Sequence, residues 1–108
     1  MSSAILANPE SSRLGDILID TSRHLVKIGP DEVDLTLKEF NLLLFFVKKK
    51  GMVVSRSELL NKVWGSSTTD AERTVDIHIC RLRKKIEPNP RFPKHLVSVR
   101  GLGYKLRG

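Results

Sequence analysis

A chain of 108 residues has room for one domain with a modest core. Its 40% hydrophobic and 29% charged residues place it among globular chains, and its single cysteine excludes a disulfide framework and fits a reducing cytosol. The net charge of +7 is unevenly placed: up to Glu72 there are 9 basic and 10 acidic residues, and from Arg73 onward 10 basic and 2 acidic, which implies a polyanionic partner for the last third.

Residues 1–12 are small and polar, with Asn8-Pro9-Glu10-Ser11-Ser12 as a linker-like stretch and an apolar Ala4-Ile5-Leu6 patch. They read as a flexible tail that joins a domain spanning 13–108 to something upstream. Residues 17–35 read as a meander of short strands, with Asp20-Thr-Ser-Arg23 and Gly29-Pro30-Asp31 as turns. No nucleophile, base or metal pattern occurs there, so this region is scaffold or partner surface.

A helix is expected over 36–50. Thr36 and Glu39 form a capping box, and Leu35 is placed to staple onto Phe40. Phe40, Leu43, Leu44 and Val47 give the buried stripe. Lys48, Lys49 and Lys50 suit the negative end of the helix dipole, and Gly51 closes it. Val53-Val54 is a short strand. Ser55 and Glu58 form a second box that opens a helix with Leu59, Leu60, Val63 and Trp64 on its buried side, ending at Gly65. Residues 66–70 are a polar loop, and Thr69 with Glu72 forms a third box.

That box opens the stretch Arg73-Thr-Val-Asp-Ile-His-Ile-Cys-Arg-Leu-Arg-Lys-Lys-Ile86. Val75, Ile79, Leu82 and Ile86 make one apolar stripe at helical spacing, and Arg73, Ile77, Arg81 and Lys84 lie opposite. Thr74, His78 and Lys85 occupy one shoulder, Asp76 and Arg83 the other. A helix with a dry back and a cationic front fits the major groove of DNA, and an ordinary surface helix with a solvated basic face has the same pattern. A membrane-surface helix would show larger exposed apolar groups. Pro88 ends the helix. A hairpin follows, Leu96-Val-Ser-Val99 and Tyr104-Lys-Leu106, with Arg100-Gly-Leu-Gly103 turning between them. An arginine at such a tip can reach a phosphate backbone or a narrow minor groove, and one at a turn is also commonly just solvated; the basic helix next door favours contact.

Six segments, in order, carry a family resemblance: Leu35-Thr-Leu-Lys-Glu-Phe40, Gly51-Met-Val-Val-Ser-Arg56, Val63-Trp-Gly65, Arg73-Thr-Val-Asp-Ile-His-Ile79, Leu82-Arg-Lys-Lys85 and Val99-Arg-Gly-Leu-Gly-Tyr104. From about Leu14 to Leu106 the chain resembles the OmpR/PhoB-type winged-helix effector domain of bacterial two-component response regulators. The resemblance implies an α+β fold: a winged helix-turn-helix with an N-terminal four-stranded antiparallel sheet, three helices and a C-terminal β-hairpin wing. It implies that the 73–86 helix enters the major groove of duplex DNA and that the wing meets the minor groove. By position, Thr74, Ile77 and Arg81 resemble the family's base-facing residues. Trp64, Arg73, His78, Arg83, Ser98, Arg100 and Tyr104 resemble its backbone or groove contacts, and Lys84 adds charge to the same front. Gly65, Ser66, Ser67, Thr68, Thr69 and Asp70 resemble the loop that touches RNA polymerase in some relatives. An upstream receiver domain, a sensor kinase and tandem DNA half-sites are expected with it. Cys80 departs from the arginine or other polar residue that many relatives carry, which removes one phosphate contact from the expected set.

An enzyme reading lacks a phosphate-binding loop and a paired nucleophile and base. One cysteine and three scattered histidines give no zinc-ligand spacing, so neither metal nor cofactor is expected. No apolar run exceeds six residues, so no transmembrane helix is expected. The alternative is a module whose basic face binds acidic protein surfaces. An RNA-binding reading lacks exposed aromatics for base stacking.

Overall fold

The computed structural model describes residues 11–65 and 72–107. The Ala4-Ile5-Leu6 patch, the loop residues 66–70 and the Thr69/Glu72 box lie outside the described residues. Two compact units follow one another along the chain, Met1–Asp34 and Leu35–Gly108.

The first unit is an antiparallel meander of β1 (Ser11–Leu14), β2 (Ile17–Asp20), β3 (Leu25–Ile28) and β4 (Asp31–Val33), paired in chain order. Its three short connections include a glycine turn at Gly15 (φ 59°) and a turn built on Asp20, whose Oδ1 accepts the Ser22 N–H (3.1 Å) and hydroxyl (2.7 Å). Those bonds, the Ser22 hydroxyl first, hold the Asp20 carboxyl below its ordinary range. Ile17 and Ile19 are buried and alternate with Leu18 and Asp20, and Ile19 faces Val26, which faces Val33 across the sheet. One face is therefore apolar, as period-two patterning requires. β1 corrects the sequence reading by two residues. Ser11 and Ser12, polar enough to read as tail, pair with Asp20 and Ile19. Backbone pairing needs no apolar side chain, so composition does not mark the edge strand.

The second unit begins with α1 (Leu37–Lys48). Its capping box is complete: Thr36 Oγ1 accepts the Glu39 N–H at 3.2 Å, and Glu39 Oε1 accepts the Thr36 N–H at 2.9 Å. The buried stripe is Glu39, Leu42, Leu43 and Phe46, with Phe40 beside it. Leu44 and Val47, expected in the stripe, are only half-buried. The true phase starts one residue earlier, at a glutamate, and the unbroken apolar run 42–47 conceals it. The Glu39 side chain, 3% exposed, reaches Lys85 Nζ at 2.6 Å. Burial pushes this carboxyl up, but the Lys85 ammonium and the Thr36 N–H outweigh it, and Glu39 ionises below its ordinary range.

After β5 (Val53–Val54) comes α2, α-helical over Arg56–Leu59 and continuing as a π-helical turn over Leu60–Trp64. Ser55 Oγ caps it by accepting the Glu58 N–H at 3.1 Å, and Gly65 ends it in the left-handed region (φ 71°). Leu59 and Leu60 are buried, whereas Val63 and Trp64 are half-buried. The widened turn sets the end of the helix off the phase that a regular 3.6-residue period assigns. α3 (Glu72–Ile86) buries Val75, Ile79, Leu82 and Ile86 as the periodicity predicts, and it packs against α1. β6 (Leu96–Val99) and β7 (Gly103–Leu106) form the hairpin, and β5 adds to β7, giving a three-stranded sheet in the order β5-β7-β6. Gly103 has φ 142°, and a Cβ there would lie 2.1 Å from the Val54 carbonyl oxygen. The strand crosses β5 so closely that only glycine fits.

Candidate nucleic-acid interface

The sequence of α3 fixes which way its side chains point. Val75, Ile79 and Leu82 are fully buried, so the residues opposite them must face solvent. Arg73, Ile77, Arg81 and Lys84 do, and Ile77 is 44% exposed among those cations. Cys80 is also exposed and is a free thiol. Thr74 is half-buried, and its carbonyl oxygen lies 2.8 Å from His78 Nδ1. A carbonyl can only accept, so Nδ1 carries the proton. His78 Nε2 then donates to a phosphate only when the ring is doubly protonated.

Trp64 closes one flank. Its ring meets His78 edge-on, with centroids 5.0 Å apart and planes at 79°. Lys38 Nζ lies 5.6 Å from the Trp64 centroid and donates to the Val63 carbonyl at 3.2 Å, which satisfies an acceptor at the end of α2.

The other flank is the hairpin. Arg83 donates from Nε to the Leu96 carbonyl (2.9 Å) and from Nη2 to Ser98 Oγ (3.0 Å), and its guanidinium lies 5.4 Å from the Tyr104 ring centroid. Tyr104 is only 8% exposed and donates its hydroxyl to Asp76 Oδ1 at 2.6 Å. Burial first, then the Asp76 carboxylate, pushes the phenol above its ordinary range. The same Oδ1 accepts Arg56 Nε at 2.9 Å, and the Asp76 charge pushes the Arg56 guanidinium up. Arg100, at the hairpin tip, is exposed. A cleft of about 440 Å³ opens between the start of α2 and the hairpin, with Ser55, Arg56, Ser98, Arg100 and Tyr104 among its lining residues. At the root of the hairpin, Glu87 is 7% exposed. Its carboxylate accepts the backbone N–H groups of Lys94 (2.8 Å), His95 (3.0 Å) and Leu96 (2.7 Å).

Thus α3 brings Arg73, Thr74, Ile77, His78, Arg81 and Lys84 onto one side. Trp64 stands at one edge, and Arg83, Ser98 and Arg100 stand with the hairpin at the other. Tyr104 lies beneath Arg83 as packing. Gly65 is exposed, and Ser66 to Asp70 lie outside the described residues. Sequence reasoning missed Arg56 as part of this surface, because its only local signal was a capping box. It also left Asp76 and Glu87 without a task.

A cationic front on α3, the second helix of a helix-turn-helix formed with α2, beside a hairpin wing, defines a winged-helix DNA-binding domain. The family model described as "Transcriptional regulatory protein, C terminal" matches residues 30–106. The chain belongs to that family, in its OmpR/PhoB-type form. It is 46% identical over 94 residues to the sensory transduction protein RegX3 of Mycobacterium tuberculosis, covering 87% of this chain and 41% of that protein. The chain therefore spans about two fifths of the length of the curated relatives it matches. The DNA-binding domain of Klebsiella pneumoniae RstA, solved in complex with the RstA box, superposes with a TM-score of 0.85 at 30% identity, over 91% of this chain and 97% of that one. The Thermotoga maritima response regulator DrrB, an OmpR/PhoB homologue, gives 0.84 at 34% identity, over 92% of this chain and 45% of that one. No helix among the described residues is long and apolar enough to cross a membrane.

Proposed function

We infer that this domain reads double-stranded DNA as the effector part of a two-component response regulator and so controls transcription. The observation that carries the reading is the division of α3 into a fully buried row and an exposed row of Arg73, Ile77, Arg81 and Lys84, flanked by a wing tipped with Arg100. The exposed row enters the major groove. Arg81 forks onto a guanine edge, Ile77 touches a thymine methyl and Thr74 reads a neighbouring base. Arg73, Lys84, the Trp64 edge and His78 hold the backbone on one side of the groove. On the other side Arg83 and Ser98 meet it at the wing root, with Tyr104 supporting Arg83 from beneath, and Arg100 reaches the minor groove. The cleft beside Arg56 and Arg100 takes the intervening sugar-phosphate chain.

In the longer protein, the residues ahead of β1 link this domain to a receiver domain that answers to a sensor kinase. The loop 65–70 touches RNA polymerase, and two copies occupy tandem half-sites. The setting is the cytoplasm, and the role is binding rather than catalysis. RstA, which is solved on its own DNA box, supports duplex DNA as the partner.

The test is selection of bound sequences from a randomised duplex pool, followed by anisotropy titration across salt concentrations. With about five phosphates neutralised, log affinity falls against log salt with a slope of roughly −4 to −5. A flat salt response, or no enriched sequence, overturns the reading in favour of a basic surface that binds acidic proteins.

A further inference from the structure

From Arg73 to Gly108 there are 10 basic residues and only 2 acidic ones, Asp76 and Glu87. A carboxylate beside a phosphate-binding surface opposes the binding of polyanions, so each needs a local reason. For Glu87 the reason is visible: three backbone N–H groups at the start of the wing converge on its carboxylate. Asp76 has a different pair of partners. Its Oδ1 takes the Tyr104 hydroxyl from β7 and Arg56 Nε from the start of α2. Asp76 and Arg83 are seven residues apart and so share one side of α3. Between them they hold Tyr104 twice, by its hydroxyl and by its ring.

We propose that Asp76 is a positioning residue for DNA recognition. Its carboxylate ties the wing and the start of α2 to α3, so that Arg100 and the α3 front engage the duplex together. The proposal rests on the DNA-reading function above. Asp76 touches no nucleic acid in this role. It acts through Tyr104, whose strand ends at the wing tip, and through Arg56, which lines the cleft next to that tip. The tie has a direct energetic meaning. A wing already held in place loses little freedom when it binds, and a loose wing must be ordered at the moment of contact.

Two variants separate positioning from folding. Tyr104→Phe removes one hydroxyl and keeps the ring under Arg83, and Asp76→Asn removes the charge and keeps the volume. Each is measured alone and combined with Arg100→Ala, by anisotropy on a duplex selected by the wild-type domain, with thermal melts alongside. In the wild-type background Arg100→Ala weakens binding roughly tenfold, the scale of one charged hydrogen bond. With Tyr104→Phe or Asp76→Asn in place, the same change weakens it roughly twofold or less, because an untethered wing contributes little. Amide exchange of residues 99–103 in the free domain rises in both variants while that of 79–86 stays unchanged. Full additivity with Arg100→Ala, together with unchanged exchange in the wing, overturns the proposal and leaves DNA binding standing. A wild-type domain that binds no duplex overturns the DNA-reading function itself, and the exchange measurement then shows separately whether the tie exists.

Discussion

The Glu39–Lys85 pair joins α1 to α3 across 46 residues of sequence, and replacing Glu39 by Gln measures what its charge contributes. Glutamine keeps the volume, and its carbonyl oxygen can still accept the Thr36 N–H, so the capping box survives. What disappears is a charge-assisted bond at 2.6 Å to an ammonium whose side chain is 34% exposed. Bonds of this kind contribute about 1.5–3 kcal/mol, and Lys85 can turn to solvent once its partner is neutral, so the lower figure applies: about 1.5 kcal/mol. In a domain of this size that lowers Tm by roughly 6–12 °C. The pH dependence supplies the sharper check. The folded carboxyl ionises below its ordinary value of 4.5, so its stabilisation is present in full above that value and is lost as pH falls through the lower, folded value. Asp20 contributes in the same sense, so the quantity to follow is the difference between wild type and E39Q in urea denaturation, from pH 7 down to about pH 3. The difference should stay constant above about pH 5 and shrink below it. Parallel curves over the whole range would show that the Glu39 charge is not coupled to folding.

Ile79→Ala removes a fully buried side chain from the core face of α3 and should cost about 2–5 kcal/mol by chemical denaturation. Arg81→Ala should weaken the best DNA site by roughly 1–3 kcal/mol and relax preference at one base pair, as read by repeating the sequence selection. Arg83→Ala should instead weaken selected and scrambled duplexes alike in anisotropy titrations, since its donors serve the wing root. Gly103→Ala puts a Cβ 2.1 Å from a backbone oxygen, so it should displace β7 from β5 and lower the melting temperature, while Gly101→Ala, with open space around it, disturbs only the turn conformation.

The sequence displays what is local. The Thr36 box, the left-handed Gly65 and the α3 stripe each depend on neighbours within one or two turns, and each appears in the structure where spacing places it. The exposed row of α3 was legible for the same reason, because the buried row determines it. The tasks of the acidic residues were not legible. Glu39 reads as a cap and Asp76 as a charge on the shoulder of α3, and nothing local marks Glu87, yet they meet partners 46, 28 and up to 9 residues away. Periodicity carries no information about such pairings. The apolar run 42–47 hid the phase of α1, and the π-helical turn changed the period of α2 itself.

The buried carboxylate of Glu87 has a mechanical consequence. By gathering three N–H groups at the junction of helix and hairpin, it ties the end of α3 to the start of the wing, and on the DNA-reading function proposed above the two should act as a caliper. A caliper responds to the distance between two adjacent grooves, and that distance depends on local twist and groove width. Duplexes that must be over- or underwound to fit it bear a deformation energy even where every contacted base is the preferred one. A single side-chain cluster should thereby add preference at base pairs that no residue touches.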